Sequence, residues 1–184
     1  MKGSTSKYFS TPSRVLHWVM APLILAMLFI GIFMVSTLSS WHQTLLMIHR
    51  PLGVALFILV FVRIAVRLKT GVPALPLAMP WWQKGLAHMS HLVFYALLLL
   101  MPLLGWGMLS AGGYPVLVLG HIALPALLPE NIVLYSVLRS LHTYCAILLL
   151  LTFCGHLAAA LFHGLIRRDG VFSSMASVRA DRAA

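Results

Sequence analysis

His142 and His156 lie fourteen residues apart in one long apolar segment. On an α-helix that spacing is about 21 Å of rise and roughly 40° short of four full turns. One helix can therefore carry two imidazoles on nearly one face at two depths. His17 and His49 lie in or beside two other apolar segments, where each can supply a facing partner. An imidazole surrounded by lipid requires a hydrogen-bond partner or a metal, so the chemistry open to these four is coordination in pairs.

Small residues separate these four from the other histidines. Four positions after His17, His49, His142 and His156 stand Ala21, Gly53, Ala146 and Ala160. Positions i and i+4 share a helix face, and a porphyrin lying against a helix needs clearance there. After His42, His88, His91, His121 and His163 the same offset holds Leu46, Leu92, Tyr95, Pro125 and Arg167. Small residues also serve plain helix packing, and histidines also bond between helices, so that reading stands beside the ligand reading. Depth pairs His17 with His156 at an inner level and His49 with His142 at an outer level. Two neutral imidazoles per iron make a six-coordinate haem suited to electron transfer. Zinc would call for tetrahedral ligands, usually with cysteine or carboxylate help. The ten methionines are scattered through apolar runs and read as packing more than as copper ligands. The expectation is two haem b groups.

Arg63 follows His49 by fourteen residues and Arg67 by eighteen, which places both on the His49 face near the inner level. Cations at membrane depth are costly unless paired, and haem propionates are suitable partners. Arg50 and Arg139 could serve the outer site in the same way. Ordinary charge flanking of membrane helices is the alternative for all four. One tension concerns level: His17 follows Arg14 by three residues, whereas His156 precedes Arg167 by eleven. The two agree if the last helix runs past the membrane surface or if Arg14 snorkels.

The elements that position these residues follow from composition. Of 184 residues, 61% are hydrophobic and 9% charged, more apolar surface than a water-soluble domain of this size can bury. Apolar stretches at 15–35, 51–68, 86–109 and 140–166 are near or above the ~20 residues that cross a bilayer. The expected fold class is an all-α integral membrane protein, a four-transmembrane-helix bundle holding two b haems. One domain is expected over residues 1–170, with helices at about 12–36, 49–69, 84–109 and 138–167, followed by a basic cytoplasmic tail at 171–184. The first segment reads as a retained helix, because it is too long for a secretory signal and lacks a small-residue cleavage site.

Charge orients the bundle. Lys2, Lys7 and Arg14, then Arg63, Arg67, Lys69 and Lys84, then Arg167, Arg168, Arg179 and Arg182 fall on one side; the other two connections carry only Arg50 and Arg139. The positive-inside bias places both termini and the middle connection in the cytoplasm. The net charge of +10 then reports topology and anionic lipid, and nucleic acid is not an expected partner. Glu130, Asp169 and Asp181 are the three acids, little material for carboxylate catalysis. Cys145 and Cys154 are about 13.5 Å apart by rise, too far to bridge, and no C-x-x-C-H sequence offers covalent haem attachment.

Several local features follow. Thr11 is an expected N-cap with Pro12 at the first helical position; Pro22 and Pro102 should kink their helices. The connection 69–85 holds Pro73, Pro76 and Pro80 and ends in Trp81-Trp82, an interfacial anchor. The connection 110–139 is apolar and rich in glycine and proline, and is expected to form a short helix over the outer mouth. The tail after Gly170 is expected to be loose. His42 and His121 are expected to be solvated.

From Arg14 to Arg168 the chain resembles the bacterial cytochrome b561 family. The resemblance rests on Arg14-Val15-Leu16-His17-Trp18, Ile48-His49, the run from Gly85 to Val93 containing GLAH-x2-H, and His142 followed by Gly155-His156-Leu157-Ala158-Ala159-Ala160-Leu161-Phe162-His163. It departs at Gly164, where relatives often carry a second histidine. The resemblance implies that His17, His49, His142 and His156 ligate two b haems and that ubiquinone is the exchangeable redox partner. One member type oxidises superoxide at the periplasmic face; others serve as haem subunits of hydrogenases or other dehydrogenases. Superoxide:ubiquinone oxidoreductase is thus the leading expectation, and an electron-relay subunit docked to a redox protein is the alternative. A histidine-lined metal transporter is a third class, but it lacks membrane carboxylates. Quinone reduction takes up two protons, so titratable groups near the inner haem are quinone-site candidates: His88, His91, Tyr95 and His163. Hydrogen bonding within the bundle is the competing role for each. Arg50 and Arg139 would give the outer mouth a positive field that attracts an anion. A homodimer is compatible with so small an apolar bundle.

Overall fold

Prolines, glycines and one asparagine set the ends of four long helices. The computed structural model describes residues 7–37, 39–118 and 122–176. Helix α1 is Thr11–Ser36, α2 Trp41–Thr70, α3 Trp81–Ala111 and α4 Ile132–Leu161. A π-helical turn, Phe162–Arg167, continues α4, and a short α5 covers Val171–Ala176. The four long helices are each long and apolar enough to span a bilayer, and the large apolar side chains left exposed along them, such as Phe29, Phe33, Ile58 and Phe61, suit lipid as solvent. This is an integral membrane protein built as a helical bundle.

Helix ends differ from the sequence expectation in ways with plain causes. Ser10, not Thr11, stands at the N-cap of α1, and its hydroxyl donates to Ser13 and Thr70, tying the start of α1 to the end of α2. Helix α2 begins at Trp41, eight residues before the expected start, so Pro51 lies inside it; neighbouring helices make interior prolines tolerable in a membrane bundle. It stops at Gly71, whose φ of 71° suits a residue without a Cβ. Helix α4 starts at Ile132 rather than near 138, because the Asn131 side chain accepts the Leu134 N–H at 3.0 Å, an N-cap.

The connection between α3 and α4 is not a helix. Val116–Val118 (β1) pairs antiparallel with Ile122–Leu124 (β2), Val116 opposite Leu124. Pro115 and Pro125 flank the pair and disfavour helix, while Val116, Val118 and Ile122 favour the extended form. Hydrogen bonds fasten this hairpin segment to the end of α3: Trp106 Nε1 donates to the Pro125 carbonyl, and the Leu127 N–H to Ser110 Oγ. His121 lies outside the described residues. His42 is half-buried, not solvated; its Nδ1 lies 2.8 Å from the Met34 carbonyl near the end of α1. The segment after Gly170 is not loose through Ala176. It folds back so that the Phe9 N–H donates to the Ser174 carbonyl and Trp18 Nε1 to that of Met175. Residues 177–184 lie outside the described part.

Helix α1 packs along α2 and α3 along α4, while α2 and α3 meet far more sparsely. The bundle is therefore two helical hairpins with room between them. Their shared core is a band of Met20, Ile24 and Leu28 from α1, Leu56 and Val60 from α2, Leu97 and Leu98 from α3, and Leu149 from α4. In each helix these residues lie between the two histidine levels.

Candidate functional site

Across the space between the hairpins, the four histidines meet in two pairs. His17 of α1 faces His156 of α4 with ring centroids 6.3 Å apart. His49 of α2 faces His142 of α4, also at 6.3 Å. All four rings are half-buried. A metal between two imidazoles, bonded to each at about 2.0–2.1 Å, would set the centroids roughly 6 Å apart. Among the described residues no group of three or more His, Cys, Asp or Glu could hold a metal ion. Each pair therefore offers two facing imidazoles, a donor set that would suit a macrocycle bringing its own four nitrogens better than tetrahedral zinc.

The fourteen-residue interval recurs on every long helix. It runs from His17 to Gly31 on α1, His49 to Arg63 on α2, His91 to Gly105 on α3 and His142 to His156 on α4. A Cβ on Gly31 would lie 3.9 Å from His49 Cε1, and one on Gly105 would lie 3.4 Å from His142 Cε1. The outer level is thus His49 and His142 with Gly31 and Gly105 against them. At the inner level His91 joins, its ring 5.6 Å from that of His156, and Phe94 packs edge-on to the same ring at 5.4 Å. Sequence reasoning passed over Gly31, Gly105 and Phe94. The first two were discoverable, since each stands one interval from a histidine.

Orphaned polar atoms add to the fit. His49 Nδ1, Arg50 Nε and His142 Nδ1 are buried without a hydrogen-bond partner of good geometry, although the Met101 carbonyl comes within reach of the His142 ring. Buried donors of this kind cost about 1–3 kcal/mol when left unpaired, and Arg50 beside His49 is well suited to an acidic group. The residues present fit haem b at both levels.

The other candidates divide. Arg63 donates from Nη1 to the Ser13 carbonyl at 3.1 Å and lies within electrostatic reach of His17, His156 and His91. Tyr95 is beside it, and the Arg67 guanidinium lies 5.7 Å from the centre of the Tyr95 ring. The structure thus gathers Arg63, Arg67, His91 and Tyr95 at the inner pair. His91 Nδ1 is 2.6 Å from the Ala87 carbonyl, which leaves Nε2 free of that bond. His88 is exposed. Arg139 is also exposed and donates to the Tyr135 hydroxyl on its own helix at 3.3 Å.

His163 is buried in the π-helical turn, its Nδ1 2.6 Å from Asp169 Oδ2. Burial alone would raise the Asp169 carboxyl. The hydrogen bonds from His163 and the Val171 N–H, with the charges of His163 and Arg167, outweigh it and hold the group below its ordinary value. Asp169 thereby joins the end of α4 to the start of α5.

Comparison with known proteins agrees with this architecture. The family described as "Prokaryotic cytochrome b561" matches residues 8–177. "Cytochrome b561 homolog 1" of Escherichia coli K12 is 26% identical over 175 residues, 91% of this chain and 96% of the relative. "Cytochrome b561 homolog 2" of the same organism is 26% identical over 175 residues, 94% and 93% of the two chains. "Probable superoxide oxidase CybB" of Yersinia pestis is 28% identical over 136 residues, 74% and 77%. The chain belongs to the prokaryotic cytochrome b561 family, haem b proteins of membrane electron transfer.

Proposed function

We propose that this protein carries single electrons across the bacterial inner membrane through two bis-histidine b haems, from a donor at the periplasmic face to ubiquinone. The observation that carries the reading is one geometry built twice, 6.3 Å between facing imidazoles at both levels. Bound haem b supplies reversible one-electron iron chemistry. His17 and His156 would hold the inner haem, and His49 and His142 the outer. Sites held by two imidazoles favour electron transfer over oxygen binding. The apolar band lies between the two levels and separates them.

Arg63 and Arg67 would hold inner propionates, with Arg50 and Arg139 as outer candidates. The basic residues near both termini and in the α2–α3 connection support a cytoplasmic location for that side. Ubiquinone reduced there takes two electrons and two protons. His91 and Tyr95 beside the inner pair, and His163 held by Asp169 two turns further along, would bind the quinone carbonyls and deliver protons; His88 lies toward the same end. Superoxide is the leading donor: two superoxide ions would lose one electron each to become two dioxygen molecules, and one quinone would become quinol. The similarity to a probable superoxide oxidase supports this donor. Arg50 at the outer pair would attract the anion.

A second reading, a haem relay subunit for a dehydrogenase or hydrogenase, draws on Tyr114, Ile122 and Leu127, which stand exposed along the outer connection. The test is rapid mixing of superoxide with the purified, haem-loaded protein and ubiquinone. Haem reduction followed by quinol formation supports the enzyme. Reduction only when a co-purifying dehydrogenase is present supports the relay and removes the superoxide reading.

A further inference from the structure

The two levels are built alike except at their non-ligand positions. The outer level has Gly31 and Gly105 against its imidazoles; the inner level has Arg63 and His91. We infer that Arg63 makes the His17–His156 centre the easier of the two to reduce and so sets the direction of electron flow. The inference rests on the reading that each pair holds a haem.

Position and fixation support it. Arg63 acts on both inner imidazoles, whereas Arg50 acts on His49 at the outer level. The Arg63 guanidinium is anchored by the Ser13 carbonyl at 3.1 Å, one helical turn before His17, with Tyr95 beside it. Among the described residues no side-chain carboxylate of the protein neutralises it, and an inner propionate that it held would face Arg67 as well. Glu130 stands against Gly113 in the outer connection, and Asp169 is taken up by His163 and Arg167. Arg67, over the Tyr95 ring, adds a second cation behind the first. A fixed positive charge in a medium of low dielectric acts strongly on nearby charge. It favours the state carrying the extra electron, and an electron entering at the outer face would then run downhill to the quinone side.

A spectroelectrochemical titration of the haem-loaded protein tests this, with His17→Ala and His49→Ala assigning each midpoint potential to its level. The inner centre should have the higher potential. Arg63→Gln should lower its reduction equilibrium by roughly tenfold, which is about 59 mV for a one-electron couple, and leave the outer centre where it was. An unchanged inner potential, or an equal fall at both centres, overturns the inference. If Arg63→Gln does not retain the inner haem, Arg67→Gln decides: a fall of roughly threefold at the same centre supports it, and no fall overturns it. A protein that binds no haem would sink the two-haem reading itself, and the inference with it.

Discussion

His49 and His142 face each other at 6.3 Å from α2 and α4, helices that pack mainly against other partners. Two imidazoles held close across a gap, with their Nδ1 atoms buried and poorly partnered, are not explained by packing between those helices. The proposed shared ligand would account for them.

Replacing His49 with Ala should remove the outer haem alone. The inner pair lies fourteen residues away along α4 and across the apolar band, so its haem should persist with an unaltered spectrum. Haem per chain, measured on the purified variant, should fall by half. Loss of both would contradict the independence of the two levels.

Gly105 should tolerate little. A Cβ there would lie 3.4 Å from His142 Cε1, so Gly105→Ala should perturb the outer centre mildly. Gly105→Leu should displace the His142 ring, at the roughly 1–3 kcal/mol usual for overpacking. Reduced-minus-oxidised difference spectra should show loss of one component in the Leu variant with the other intact. An unperturbed pair of components would remove Gly105 from the outer site.

The Asp169 latch should respond to acid in one direction. Its carboxyl is held below its ordinary value in the fold, so its contribution is fully present above about pH 4, the usual range of an unfolded carboxylate. It is lost as pH falls through the lower folded value. Hydrogen exchange in residues 171–176, corrected for intrinsic rates, should be steady from neutral pH to about 5 and rise in acid. Asp169→Asn should raise it already at neutral pH. Equal protection in wild type and variant would mean that the bonds from Phe9 and Trp18 hold α5 without help from Asp169.

Much of the site was readable from the sequence because its main signal is an interval. The His142–His156 spacing and the Arg63 position after His49 required only helix geometry. Gly31 and Gly105 carry the same interval, but they do their work on helices other than their own, and a small-residue test applied within each helix could not reach them. The β1–β2 hairpin was misread because a short apolar run such as Val116-Leu117-Val118 has no period that separates strand from helix. The start of α2 falls earlier than expected because the apolar run begins only at residue 51, whereas the helix also takes in Trp41 to Arg50 and holds Pro51 in its interior, which a membrane bundle tolerates. Helix α5 owes its place to tertiary contacts, the bonds from Phe9 and Trp18 and the His163–Asp169 bond just before it, which composition does not reveal.

The haem-to-protein ratio of the purified chain, taken with its absorption spectrum, tests the central claim most directly. Two low-spin b haems per chain are predicted, one lost with His49→Ala and the other with His17→Ala. A colourless protein, or a ratio of one that survives either substitution, would contradict the account.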